Sequence, residues 1–259
     1  MEQNTIYFAD VFDFLNKLPD NSIDLAIVDP PYNMNKDKWD SFKTEDAYFV
    51  FMESWIDLLI PKLKDNASLY LFNNAYNSAI LVSILKSKGI VFRNWITWYK
   101  KDGFSATKKK YVNTQETILF YTKSSTYTFN SDQIRIPYDS TSRIACASKT
   151  GILKNGKRWF PNATGKLCGD VWEIVSQRHR TKINGKTQKA IHPTVKPSEM
   201  IDRIITASSN EGDIILDLFS GSGTTARSAV KLNRAFVGCE NNELYINYIE
   251  STGIKTSKL

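Results

Sequence analysis

A glycine-rich segment near the C-terminus constrains the fold of this chain most strongly. The sequence DLFSGSGTTARSAVKLNRAFVGCE, which starts at Asp217, predicts in order a strand, a glycine turn, a helix, a strand and an acid. Gly221 and Gly223 allow a tight turn and a close backbone approach to a ligand, and the helix N-terminus behind them offers unpaired N–H groups. Glu240, 19 residues beyond Gly221, ends the second strand, where a carboxylate can accept both hydroxyls of a ribose.

The same glycine turn has two alternative interpretations. Gly221, Gly223 and Ala226 match the pattern G-x-G-x-x-A of dinucleotide-binding dehydrogenases, and a purely structural strand-to-helix turn is also compatible with them. A dehydrogenase domain needs several more strands after this unit, but only 19 residues follow Glu240. The unit must therefore complete a sheet whose other strands come earlier, which indicates a permuted strand order.

The first 124 residues alternate strand-like runs with longer amphipathic stretches. The runs are TIYFA, IDLAIV, SLYLFN, NWITWY and ETILFYT, and the amphipathic stretches cover 46–63 and 75–88. This alternation predicts a mostly parallel sheet with helices on both faces. Residues 125–190, rich in Ser, Thr, Asn, Gly and basic residues, lack periodicity and predict an irregular insertion of short strands and loops. The segment PSEMIDRIITASS then predicts another amphipathic helix.

A rigid elbow follows the second predicted strand, in the sequence AIVDPPYN. Pro30 and Pro31 must end that strand, because each removes a backbone donor and Pro31 forces Pro30 into extended geometry. The elbow combines the Asp29 carboxylate and the proline carbonyls with the ring of Tyr32. It therefore places hydrogen-bond acceptors beside a stacking surface, although a plain tight turn is an alternative on this motif alone.

Charge is distributed unevenly along the chain. Residues 100–196 hold 19 Lys and Arg against 6 Asp and Glu, a net charge of +13, whereas the remainder of the chain carries −6. A whole segment biased in this way indicates a surface that binds a polyanion such as nucleic acid. A solvated surface is the alternative for an isolated cluster such as Lys108, Lys109 and Lys110.

The few Cys and His residues point to no metal site. Cys146, Cys168 and Cys239 lie far apart, which fits a reducing cytoplasm and neither a disulfide framework nor a zinc site. Two scattered histidines, His179 and His192, are too few for a metal centre. The apolar runs are too short to cross a bilayer, and the residues after Met1 show no targeting signal.

Taken together, these motifs resemble the amino-methyltransferases of DNA, in the permuted class that places the catalytic motif before the cofactor motif. The resemblance rests on Asp29-Pro30-Pro31-Tyr32, on HPTVKP at 192–197, and on the glycine motif from Asp217 to Thr225. NWITWYKKDG, QETILF and GILKNGKRWFPN are most similar to the MboII-type adenine methyltransferases. The resemblance implies a permuted Rossmann-like fold that depends on S-adenosylmethionine.

The chemistry of such a reaction fits the elbow. An exocyclic amine on a base is a poor nucleophile, because its lone pair is delocalised into the ring. The resemblance assigns catalysis to Asp29, Pro30, Pro31 and Tyr32: the Asp29 carboxylate and the Pro30 carbonyl would accept the two amine hydrogens, and Tyr32 would stack on the base. Orientation and electrostatics then supply much of the catalysis, and the base must be flipped out of the duplex.

The resemblance also implies a set of cofactor-binding residues. Glu240 would hold the ribose hydroxyls, Lys196 would face the methionine carboxylate, and Asp10 would contact the adenine edge of the cofactor. Each has a simpler alternative: Phe219 as core, Asp10 and Asp217 as turn caps, Lys196 as a solvated charge. The predicted cofactor-binding residues are Asp10, Lys196, Asp217, Phe219, Gly221, Gly223, Thr224 and Glu240.

We therefore expect a DNA adenine-N6 methyltransferase of a restriction-modification system, located in the cytoplasm. Residues 1–124 and 191–259 would form the catalytic domain, and residues 125–190 the target-recognition region. Lys108, Lys109 and Lys110 would bind phosphates, and Arg158 would read bases. The alternative is that Arg158 pairs with a local carboxylate and that Trp159 is a core residue. The alternatives are a cytosine-N4 methyltransferase and a DNA-binding subunit without turnover. The resemblance also suggests an adenine-rich site such as GAAGA, a cognate nuclease or second methyltransferase as partner, and a homodimer.

Overall fold

A computed structural model describes residues 1–35, 38–101, 108–176, 180–183, 186–189 and 195–259. Within these ranges, no helix combines the length and the apolar character needed to cross a membrane. The helices are α1 (Val11–Lys17), α2 (Glu45–Leu59), α3 (Ala75–Leu85), α4 (Thr141–Thr150), α5 (Ser198–Ser208), α6 (Thr224–Lys231) and α7 (Glu243–Ser251). The strands are β1 (Thr5–Phe8), β2 (Ile23–Val28), β3 (Leu63–Asn73), β4 (Val91–Tyr99), β5 (Gln115–Thr122), β6 (Ile152–Lys154), β7 (Lys157–Trp159), β8 (Val171–Glu173), β9 (Arg180–Ile183), β10 (Lys186–Lys189), β11 (Ile214–Asp217), β12 (Ala235–Glu240) and β13 (Lys255–Lys258).

One nine-stranded sheet organises the chain, in the order β13-β1-β12-β11-β2-β3-β5-β4-β8. Its pairings are parallel except where β5 runs antiparallel to β3 and β4. The late strand β11 lies directly beside the early strand β2, with Leu216 opposite Ala26. The predicted mostly parallel, permuted α/β fold is therefore confirmed.

Helices cover both faces of this sheet. Apolar residues of α1, α2 and α3 form a core on one face, and those of α5, α6 and α7 form a core on the other. Strand β2 contributes to both, because Ala26 and Val28 face the first core while Leu25 and Ile27 face the second. Burial on both faces explains why this strand is apolar throughout and why a short continuous apolar run identifies it.

The predicted insertion contains more regular structure than its sequence suggests. Ser140 caps the start of helix α4, where its hydroxyl accepts from the backbone N–H of Arg143, and Gly151, with a φ of +70°, caps its end. The helix buries only Ala147 fully, so it lacks the apolar stripe that would have predicted it. Strand β8, also within 125–190, pairs with β4 and extends the main sheet. The domain boundaries at 124/125 and 190/191 stay a prediction, and His179 and His192 lie outside the described residues.

Candidate active site

The carboxyl ends of four parallel strands meet at one edge of the sheet. Asp10 follows β1, Asp29 follows β2, Asp217 ends β11 and Glu240 ends β12. Their side chains line one pocket, as expected for an open α/β sheet, where ligands bind outside the carboxyl ends of the strands. Of the predicted catalytic and cofactor-binding residues, this pocket brings together Asp10, Asp29, Pro30, Pro31, Tyr32, Lys196, Asp217, Phe219, Gly221, Thr224 and Glu240.

The elbow after β2 is held from two sides. The buried carboxylate of Asp40 accepts from the backbone N–H of Tyr32 at 2.6 Å and from that of Met34 at 3.1 Å. The amide of Asn77 donates to the Tyr32 carbonyl at 2.8 Å. These bonds satisfy backbone groups of the elbow just beyond the prolines, and they fix the elbow at the pocket wall.

Tyr32 is tied to Asp29 within the elbow. Its hydroxyl donates to Asp29 Oδ1 at 2.7 Å, and the residue is only 8% exposed. Burial, and then the neighbouring carboxylates of Asp29 and Glu116, raise the pKa of the Tyr32 phenol well above its ordinary value. The phenol therefore stays protonated and serves as a donor that orients the Asp29 carboxylate.

The glycine turn and Glu240 form a second wall. Gly221 has a φ of +50°, which favours glycine, and its N–H donates to Glu240 Oε2 at 2.7 Å. The other carboxylate oxygen, Oε1, accepts from Asn242 N at 2.9 Å. Gly223, with a φ of +75°, precedes α6 and lies behind the turn, where an added Cβ would come within 3.0 Å of Ile249. Gly223 therefore shapes the turn, while Gly221 lines the pocket.

Two acids in the pocket have strongly perturbed pKa values. Burial raises the pKa of Asp217 to about 7, against hydrogen bonds from Thr225 and the Phe219 backbone that lower it. Burial also raises the pKa of Glu240 to about 7, although the Gly221 and Asn242 backbone groups lower it. Buried titratable groups that converge in a cleft are typical of functional sites.

Lys196 lies where it contacts the elbow. Its ammonium donates to Asp29 Oδ2 at 2.6 Å and lies 3.5 Å from Glu116 Oε2. Burial lowers the pKa of Lys196, but the carboxylates of Asp29 and Glu116 outweigh it and raise this pKa above its ordinary value. The alternative of a solvated surface charge is wrong for Lys196, because its side chain is only 8% exposed.

Asp10 and Phe219 have the simpler roles that were the alternatives for them, and both also line the pocket. Asp10 caps α1 by accepting from the backbone N–H of Phe12 at 2.8 Å. Phe219 packs edge-on against Trp55, with the ring centroids 5.8 Å apart. Both residues therefore stabilise local structure and also line the pocket.

Sequence reasoning missed several pocket residues. Glu116 lines the pocket from β5, and an aromatic wall is formed by Trp39, Phe42, Phe51 and Phe72. A tryptophan and a phenylalanine in KWDSF, shortly after the elbow, were the available signal for that wall. Glu116 sits in QETILF without a motif of its own, so nothing local predicts it. Among the described residues, no cluster of three His, Cys, Asp or Glu could hold a metal ion.

The predicted DNA-binding residues lie away from this pocket. Lys108, Lys109 and Lys110 are exposed just before β5. Arg158 is exposed on β7, and its guanidinium donates to the carbonyl of Thr150 at the end of α4. Its neighbour Trp159 is 60% exposed, so the alternative of a core tryptophan is wrong.

Strands β6 and β7 form a hairpin around a tight turn. Asn155 and Gly156 both have positive φ, at 52° and 72°, as a two-residue hairpin loop of type I′ requires. The register pairs Ile152 with Trp159 and, nearer the tip, Lys154 with Lys157. Alternate residues of a strand lie on the same face. One face of the hairpin therefore carries the pair Ile152 and Trp159 and, nearer the tip, the pair Lys154 and Lys157, and all four residues are exposed.

Similarity to known proteins extends over nearly the whole chain. A family model described as DNA methylase matches residues 23–251. The chain is 52% identical over 247 residues to the type II methyltransferase M1.MboII of Moraxella bovis, with 95% of each chain covered. The crystal structure of an M1.HpyAVI–SAM complex matches 96% of this chain and 98% of its own, with a TM-score of 0.62 and 24% identity. The cytosine-N4-specific PvuII DNA methyltransferase matches 98% and 86%, with a TM-score of 0.70 and 16% identity. These two solved structures have the same overall fold as this chain.

Proposed function

The chain belongs to the DNA methylase family, and from this premise we propose that it transfers a methyl group from S-adenosylmethionine to N6 of an adenine in duplex DNA. The observation that carries the proposal is that the Asp29 elbow and the Gly221 turn with Glu240 line the same pocket. One wall carries acceptors for an amine, and the other carries the features expected for a nucleoside cofactor.

The residues present fit S-adenosylmethionine. Glu240 is a buried carboxylate fixed by two backbone N–H groups, and its remaining lone pairs suit the two hydroxyls of a ribose. Gly221 at positive φ allows close backbone approach to a ligand. Lys196 would hold a carboxylate, and Asp10, Asp217, Phe219 and Thr224 would complete the cofactor wall. When bound, the cofactor supplies an already activated methyl group.

The protein's own task is to prepare the amine. Asp29 and the Pro30 carbonyl accept its two hydrogens, which favours a more tetrahedral nitrogen whose lone pair can attack. Tyr32 and Lys196 fix the Asp29 carboxylate through bonds of 2.7 and 2.6 Å, so its orientation is set before the base arrives. Tyr32 would also stack on the flipped base.

Base choice favours adenine over cytosine. The elbow carries Asp at position 29, and by family resemblance Asp rather than Ser favours adenine. Similarity to the MboII type in QETILF and GILKNGKRWFPN supports the same choice. The same geometry serves the N4 amine of cytosine, and the PvuII structure shows that the fold accommodates that specificity. Cytosine-N4 methylation is therefore the second candidate.

The basic segment is proposed as the DNA-binding surface. Lys108, Lys109 and Lys110 would contact phosphates, and a two-stranded ribbon such as β6–β7 fits a major groove. Arg158 would read a base after leaving the Thr150 carbonyl. We further propose a GAAGA-like site, a cognate nuclease or second methyltransferase as partner, a homodimer, and a cytoplasmic location.

Methyl transfer from radiolabelled S-adenosylmethionine to duplex DNA tests the proposal. We expect label in the DNA, and nucleoside digestion should place it in N6-methyladenine. Label in N4-methylcytosine would show that the target is the N4 amine of cytosine and not N6 of adenine. DNA binding without incorporation would leave a subunit without turnover.

A further inference from the structure

Four charged side chains form a continuous row, and three of them, Asp29, Glu116 and Lys196, line the pocket. Lys100, just after β4, binds Glu116 Oε1, and Glu116 Oε2 lies 3.5 Å from the Lys196 ammonium. Lys196 in turn binds Asp29 at 2.6 Å. The row thus joins Asp29 to a carboxylate that the mechanism above does not use.

Glu116 is held firmly in this row. Its side chain is 14% exposed, and that of its partner Lys100 is 23% exposed. The Lys100 backbone N–H donates to the Thr114 carbonyl at 2.7 Å, and the Lys100 ammonium lies 4.7 Å from the ring centre of Trp98. Glu116 Oε2 also lies within 3.4 Å of the Tyr32 hydroxyl. The carboxylate is therefore aimed at both groups that contact Asp29.

The Lys196 ammonium creates an electrostatic problem for methyl transfer. Positive charge develops on the amine nitrogen as the methyl group is transferred, and the negative charge of Asp29 stabilises it. An ammonium paired with Asp29 alone would neutralise that charge in a site where interactions are strong because water is limited. Glu116, a second carboxylate beside Lys196, shares the ammonium with Asp29, and Lys100 offsets the charge of Glu116 at the far end of the row.

Lys196 also has enough donors for this arrangement. An ammonium has three N–H donors, and Asp29 and Glu116 account for two of them. Among the described residues the ammonium has no third hydrogen-bond partner, so one donor remains for the cofactor carboxylate that the proposed function assigns to Lys196. Glu116 thereby orients the ammonium without competing for that contact.

We propose that Glu116 is a positioning residue for methyl transfer, which shares the Lys196 ammonium with Asp29 so that the ammonium does not fully offset the charge of Asp29 where the target amine binds. This role rests on the proposed function. It predicts that Glu116 acts on the transfer step and little on cofactor binding.

The test compares Glu116→Gln, Glu116→Asp and a control, Glu173→Gln. The substitution with Gln keeps the shape and removes the charge, whereas Asp keeps the charge. Glu173 pairs with Lys101, one residue beyond Lys100, but both side chains are exposed, at 59% and 66%. Loss of the Glu173 charge therefore controls for a change in net charge at the same sheet edge.

We expect Glu116→Gln to lower kcat at least about tenfold, while the calorimetric Kd for S-adenosylmethionine changes less than about threefold. Glu116→Asp should recover most of the loss, and Glu173→Gln should match the wild type. An unchanged kcat, a parallel loss of cofactor affinity, or equal defects in the Gln and Asp variants would overturn the role. Inactivity of the wild-type protein would instead contradict the proposed function itself.

Discussion

Glu240 should make cofactor binding depend on pH near neutrality. Burial raises its pKa to about 7, and both of its oxygens already accept backbone N–H bonds. The ionised carboxylate can accept the hydroxyls of a ribose, whereas a protonated one presents a donor in place of an acceptor. Protonation of Glu240 should therefore weaken the binding of S-adenosylmethionine.

The size of the effect follows from the pKa. For a group with a pKa of about 7, the ionised fraction rises from about 0.09 at pH 6 to about 0.9 at pH 8. If only the ionised form binds well, the apparent Kd is the intrinsic Kd divided by this fraction. Binding at pH 6 should then be about tenfold weaker than at pH 8.

Calorimetric titration at pH 6, 7 and 8 with wild type, Glu240→Gln and Asp217→Asn measures this dependence. Titration of the cofactor's own amine cancels when proteins are compared at one pH. Glu240→Gln should lose the tenfold dependence. Asp217→Asn should retain a pH dependence of cofactor binding, but its midpoint should lie at a lower pH. The reason is that the Asp217 carboxylate raises the pKa of Glu240. Equal pH dependence in the wild type and Glu240→Gln would refute the reasoning.

Two further predictions concern the glycine turn and the basic segment. Gly221→Val should weaken cofactor binding at least about tenfold, because it forces a β-branched residue to a φ of +50° at the pocket wall. The control Gly212→Val, at positive φ in an open turn, should keep wild-type cofactor affinity. Equal affinity in both variants would remove Gly221 from the cofactor site. Replacing Lys108 and Lys109 by Gln should weaken binding to cognate and unrelated duplexes alike and lower the salt slope by about 0.9 per lost phosphate contact. Lys255→Gln, on β13 at the opposite edge of the sheet, should leave the slope unchanged, and an unchanged slope in the double variant would exclude these lysines from phosphate binding.

The strands of the main sheet were predictable because each is indicated by a short apolar run in its own sequence. A buried strand reads as a short apolar run, and β2 shows one because Ala26 and Val28 face one core while Leu25 and Ile27 face the other. The permuted order was predictable from the position of the glycine motif, which comes after the other strand-like runs in the sequence. Helix α4 escaped prediction because it buries little and presents no apolar stripe.

The connections within the site were not predictable in the same way. Lys196 and Asp29 are 167 positions apart, and Tyr32 and Glu116 are 84 apart. Such contacts depend on which strands become neighbours, and side-chain patterns do not encode that. The motifs predicted residues that line one pocket, whereas the ion pair and hydrogen bond that hold Asp29 became visible only with the fold.

In the proposed function, Asp29 accepts a hydrogen of the target amine in a pocket whose other wall holds the cofactor. The most direct measurement pairs labelled methyl transfer with cofactor calorimetry for Asp29→Ala. Transfer should disappear while the Kd for S-adenosylmethionine stays within about threefold of wild type, because Glu240 bonds to the glycine turn and Glu116 still lies beside the Lys196 ammonium. Retained methyl transfer in Asp29→Ala would contradict the claim.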